Sequence, residues 1–161
     1  MIVIVMGVVG AGKTTVGSLL AAQLGWEFAD ADDFHPPTNV EKIRRGIPLT
    51  DDDRRPWLAR LRTEIGHWIA SGRNVVLACS ALKRSYRRTL EAGPEVRFVY
   101  LKGSVEVIAE RLRVRQGHFA GGQILASQFA DLEEPEDAIT AETTSTPQQI
   151  VDEIRQKLGL A

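Results

Sequence analysis

The chain has 161 residues, of which 43% are apolar and 25% charged, and its formal net charge is −1. That length suits a single domain over residues 1–161, with a core that needs no disulfide or metal staple. The one cysteine, Cys79, excludes an internal disulfide and a multi-cysteine zinc site, and the charge balance argues against a nucleic-acid partner, so anions must be gripped locally.

Ile2–Met6 opens the chain as an all-apolar run without a basic leader, which reads as a buried strand rather than a signal peptide. No run approaches the roughly 20 apolar residues that span a bilayer, so a cytoplasmic protein without a membrane partner is expected. Beyond Lys13, Val16, Leu19, Leu20 and Leu24 share one helical face, and Gly25 stops it. Glu27–Ala29 is a weaker strand candidate. Trp57, Leu58, Leu61, Ile65, Trp68 and Ile69 form a second helical stripe, with Asp51–Asp53 ahead of it and Gly72 behind. Its tryptophans, like Trp26, read as core rather than as ligand platforms. Val75–Cys79 and Val96–Leu101 are two further apolar strands, of the kind expected when helices cover both faces of a sheet. Ser104 caps a helix that carries Val105, Ile108, Ala109 and Leu112. Ala138–Thr140 is a last weak strand. Thr146-Pro147-Gln148-Gln149 forms a capping box with proline at the first helical position, and Gly159 ends that helix. Strands alternating with helices predict an α/β fold with a parallel sheet.

Gly7-Val8-Val9-Gly10-Ala11-Gly12-Lys13-Thr14 matches the phosphate-binding pattern G-x-x-x-x-G-K-[ST] between a strand and a helix. Glycines let backbone N–H groups curl around phosphate oxygens, and the helix N-terminus adds donors and a positive dipole end. Lys13 would reach the β- and γ-phosphates, and the Thr14 hydroxyl would ligate Mg²⁺. No Asn-Lys-x-Asp stretch recognises guanine, and the Val75–Cys79 strand does not end in an aspartate, so the metal needs another acidic partner. Asp30 and Asp32 supply candidates. If the segment is extended, both project to one side, one toward the metal and one toward the attacking hydroxyl. Capping of the next helix is the structural alternative.

The resemblance to a family becomes specific beyond the nucleotide loop. It is carried by Asp30-Ala31-Asp32-Asp33-Phe34-His35-Pro36, by Asn39 with Glu41-Lys42, and by Gly46-Ile47-Pro48-Leu49-Thr50-Asp51-Asp52-Asp53-Arg54. Pro56-Trp57-Leu58, Cys79-Ser80-Ala81-Leu82-Lys83, Tyr86-Arg87, Tyr100-Leu101-Lys102-Gly103 and Arg111-Leu112 through Arg115-Gln116-Gly117-His118-Phe119 extend it through most of the chain. The chain resembles the gluconokinases of the small P-loop kinase type, relatives of the shikimate kinases. The resemblance implies a P-loop kinase fold, a five-stranded parallel sheet flanked by helices, with a mobile lid near residues 112–124. It implies ATP-dependent phosphorylation of D-gluconate to 6-phospho-D-gluconate with Mg²⁺, and a homodimer.

By the same resemblance, ATP would be held by Gly7, Val8, Val9, Gly10, Ala11, Gly12, Lys13, Thr14 and Thr15, with Arg111 and Pro147. Thr14 and Asp30 would hold the metal. Asp32 would contact the acceptor hydroxyl and, with Lys13 and Arg115, form the catalytic set. His35, Arg54, Lys83, Arg87 and His118 would bind gluconate together with Asp32. Two other readings stay open at this point: a kinase for another small hydroxy acid such as shikimate, and a nucleotide-dependent binding switch without transferase activity. Ser80-Ala81-Leu82 stands where shikimate kinases carry glycines, which counts against shikimate.

Overall fold

The computed structural model describes residues 1–116 and 122–160. Five parallel strands form one sheet: β1 (Ile2–Met6), β2 (Glu27–Asp30), β3 (Val75–Ala78), β4 (Val96–Lys102) and β5 (Ile139–Glu142). Their spatial order is β2-β3-β1-β4-β5. The expected strands are present, each within a residue or two of the boundaries read from the sequence.

β1 lies at the centre, and its strict apolarity follows from that place. Val3 and Val5 enter one core, with Val16, Leu20, Ile108, Leu112 and Ile154. Ile2, Ile4 and Met6 enter the other, with Trp57, Leu61, Ile65, Trp68 and Leu90. Successive side chains of a strand face opposite ways, so a strand covered on both faces has no polar position to spare.

The helices are α1 (Lys13–Leu24), α2 (Pro37–Arg44), α3 (Asp51–Ala70), α4 (Arg84–Leu90), α5 (Val105–Gln116), α6 (Gly122–Asp131) and α7 (Pro147–Leu158). Their ends follow the sequence signals. Gly25 and Gly159 terminate α1 and α7 in the left-handed conformation. Thr146 and Gln149 form the capping box of α7. Thr50 and Asp53 form a second one at α3, which the sequence reading did not identify. Among the described residues no helix is long and apolar enough to cross a membrane.

The order of the strands sets the place of the crevice. The chain leaves β1 for β2 and β3 on one side and then crosses to β4 on the other. Ligands of open parallel sheets bind where the direction of winding reverses, outside the carboxyl ends of the strands. Here those ends are Met6, Ala78 and Asp30, followed by the phosphate-loop pattern, Cys79-Ser80 and the Asp32 segment.

Candidate active site

The loop after β1 has the backbone its glycines were expected to allow. Gly10 and Gly12 stand at φ 81° and 96°. A Cβ on Gly10 would lie 2.8 Å from Leu112, so sterics as well as torsion demand glycine there. Gly12 begins α1 with no side-chain cap, which leaves the first N–H groups of that helix available to an anion. Lys13 reaches back over the loop, its Nζ donating to the carbonyls of Gly7 and Val8 at 3.0 Å each. Its sheltered position pushes the ammonium pKa below the ordinary value, while Asp32 and Asp30 oppose that shift.

The two aspartates are arranged differently from the extended alternation expected. The strand ends at Asp30, and Ala31–Phe34 form a 3-10 turn. Asp30 caps that turn, its Oδ1 accepting from the Asp32 N–H at 2.9 Å. Its other oxygen, Oδ2, accepts from the Thr14 hydroxyl at 3.3 Å. Capping and a metal role therefore do not compete for the same atom. The Asp32 carboxylate is exposed to the cleft, yet desolvation by the surrounding protein raises its pKa, and Asp30 adds to the effect.

A cavity of about 250 Å³ joins these groups. Its floor includes Gly10, Gly12, Lys13, Thr14, Asp30 and Asp32. His35, Arg54 and Trp57 form one wall, and Ile124, Ser127 and Gln128 of α6 form another. Ile43, Pro48 and Leu49 approach from α2 and the following loop, and Arg115 comes from the end of α5. Val9 and Thr15 also border the cavity.

His35 lies flat against Trp57, with ring centroids 4.4 Å apart and planes 13° from parallel. Burial, with the Arg54 guanidinium as a second cause, pulls its pKa down to about 4, so it is neutral at pH 7. Arg54 is 8% exposed and donates through Nη1 to Tyr86 Oη and to Asp131 Oδ2, both at 2.9 Å. A buried arginine held on one edge in this way has its remaining donors available to a carboxylate.

Other expected residues stand elsewhere. Lys83 is not among the residues lining the cavity; its Nζ donates to Asp51 Oδ1 at 2.9 Å, the same oxygen to which the Tyr86 hydroxyl donates. Arg87, expected at the substrate, is not among the residues lining this cavity. Its guanidinium is buried and donates to the backbone carbonyls of Ala81 (2.8 Å), Leu82 (3.0 Å) and Glu133 (2.8 Å). It anchors the turn after β3, where Ala81 takes φ 45°. Arg111 crosses from α5 to the phosphate loop, donating to Thr143 O at 2.5 Å and Ala11 O at 3.4 Å. Pro147 opens α7 and does not line the cavity. His118 and the middle of the expected lid lie outside the described residues.

Three contributors had no functional signal in the sequence. Trp57 is core on one face and the platform for His35 on the other. Gln128 accepts from the Val9 N–H at 2.6 Å across 119 residues. Asp131, three residues later on the same helix, holds Arg54. No periodicity reveals such long-range polar contacts. Trp57, and Asn39 four residues after His35, sat within stretches already singled out, but without a role at the site.

A family model described as shikimate kinase matches residues 9–159. A probable gluconokinase of Xenopus tropicalis is 49% identical, over 84% of this chain and 80% of that protein. The gluconokinase of Gluconobacter oxydans is also 49% identical, over 83% of this chain and 76% of its own. The crystal structure of a gluconokinase from Sinorhizobium meliloti superposes with a TM-score of 0.88 at 42% identity, covering 98% of this chain and 90% of that one. With a nucleotide loop, a carboxylate pair and a buried arginine around one cavity, the chain belongs to the gluconokinase family, built on the shikimate-kinase type of fold.

Proposed function

We propose that this kinase transfers the terminal phosphoryl group of ATP to the 6-hydroxyl of D-gluconate. The observation that carries the reading is the single cavity in which Lys13, Asp32 and Arg54 meet. Such a cavity suits an acceptor bearing a hydroxyl at one end and a carboxylate at the other. The relatives named gluconokinase supply the acceptor's identity.

In this reading the first N–H groups of α1 and Lys13 cradle the triphosphate. Arg111 braces the loop, and Arg115 lies where charge develops during transfer. Asp32 accepts a hydrogen bond from the attacking hydroxyl and aligns it. Phosphoryl transfer rests mainly on positioning and electrostatics, so the carboxylate need not be a strong base. Arg54 binds the gluconate carboxylate, while Lys83 contributes positive charge at the margin.

The residues present fit a magnesium ion. Thr14 Oγ1 and Asp30 Oδ2 are hard oxygen donors already adjacent. Among the described residues no group of three or more His, Cys, Asp or Glu could hold an ion unaided. Mg²⁺ usually takes one or two protein oxygens and completes its shell with phosphate and water, where it neutralises phosphate charge.

ADP release measured against a panel of acceptors tests the reading. Gluconate should stimulate release strongly and shikimate should not. Stimulation by shikimate with none by gluconate would overturn the acceptor. ATP binding without release on any acceptor would favour the binding switch.

A further inference from the structure

His35 could serve the acceptor in two opposite ways, as a proton donor or as a base. A backbone carbonyl nearby decides between them. The carbonyl of Asp53 can only accept a hydrogen bond, and Asn39 Nδ2 lies 2.6 Å from it. The amide is thereby oriented, because its oxygen in that place would oppose another oxygen. The same Nδ2 lies 3.2 Å from His35 Nδ1. Its two protons are therefore divided between the carbonyl and the imidazole, and Nδ1 must be the acceptor. A neutral ring with a bare Nδ1 carries its proton on Nε2.

Three further observations hold the ring in that state. Asn39 is 2% exposed, so water does not compete for its protons. Stacking on Trp57 fixes the plane of the ring. A second proton on Nδ1 would confront the N–H of Asn39, and the Arg54 charge also stands against an imidazolium. The described residues give Nε2 no hydrogen-bond partner, and His35 lines the cavity with Asp32 and Arg54.

We propose that Asn39 is a positioning residue that locks His35 as the neutral Nε2–H tautomer, making it a fixed single-proton donor to an oxygen of the acceptor and never its base. This rests on the reading of the cavity as the acceptor site. Asp32 accepts and His35 donates, so the pair selects an acceptor that offers both a hydroxyl proton and an oxygen lone pair. Asn39 itself touches neither substrate.

Nitrogen NMR of the full chain, labelled in its histidines, reads the tautomer directly. His35 should show a bare Nδ1 and a protonated Nε2, unchanged between about pH 5.5 and 8, a span that brackets the ordinary histidine pKa. A protonated Nδ1, or a ring that titrates within that span, overturns the proposal. This readout needs no substrate, so it stands apart from the identity of the acceptor. In Asn39→Ala the Nδ1–H tautomer should appear, and an unchanged spectrum overturns the role of Asn39. If that variant does not fold, the wild-type spectrum still decides the state of the ring.

Kinetics test the donor role. His35→Gln keeps an N–H donor and should raise the gluconate KM less than about tenfold, the scale of one imperfect hydrogen bond. His35→Glu offers only acceptors at neutral pH and should raise it more than about a hundredfold. Equal KM values for the two variants overturn the donor assignment, whereas absent gluconate turnover in the wild type would overturn the acceptor instead.

Discussion

At Asp32 a carboxylate sits where solvation is poor and a second carboxylate is close. Its raised pKa means that ionisation is harder in the folded chain than in the unfolded one. The charge therefore lowers stability above the ordinary carboxylate range, and that cost disappears as pH falls below it. Asp32→Asn should raise Tm at pH 7, with the gain vanishing on acidification, while kcat falls by roughly 10²–10⁴, the usual scale for a positioned proton acceptor. Calorimetry across pH together with ADP release checks both parts. A lower Tm or an unchanged kcat would remove Asp32 from this role. Lys13→Ala should abolish turnover in an ADP-release assay, since Lys13 is the cation built into the phosphate loop itself. The glycine loop, Lys13 and the aspartates were legible because their chemistry is local in sequence. The donor role of His35 was not, because its tautomer is set by Asn39 and by the Asp53 carbonyl, atoms that only folding brings together.

Among the elements, α6 has contacts that no sequence pattern announced. Its Gln128 holds the phosphate loop through Val9, and its Asp131 holds Arg54. These residues are three apart, so they share a side of the helix. One helix thus braces the nucleotide end of the cavity and the acceptor end through separate contacts. Asp131→Ala should raise the gluconate KM by about three- to tenfold with little change for ATP, and Gln128→Ala should do the reverse, each having lost one hydrogen bond. Initial-rate kinetics with both substrates varied separates the two, and a crossed pattern would dissociate α6 from this division. Arg87 shows the opposite lesson. The resemblance placed it at the substrate, but its Nη1 and Nη2 donate to three backbone carbonyls. Sequence position reveals which charges are near a site, not which are already engaged by backbone.

Over the whole molecule, the sheet was readable because burial on both faces leaves strands with near-continuous apolar runs. The edge strands β2 and β5 were the weak candidates because they are only partly buried, whereas β3, equally short, is buried throughout. The five-strand count came with the family resemblance, but the order β2-β3-β1-β4-β5 was not legible from the runs and is set by the fold. That order also has a consequence for how the chain is made. β1 pairs with residues more than seventy positions away in β3 and more than ninety away in β4. The nucleotide loop must therefore wait for partners made much later in the chain before it has a shape. Fragments ending before Val96 should show no ATP protection from proteolysis, whereas the full chain should, and protection of a 1–95 fragment would mean the loop forms without β4 beside its central strand. Until β3 and β4 have been made, a growing chain of this kinase carries β1 as an exposed, strongly β-forming segment, and that interval is where aggregation or chaperone capture would begin.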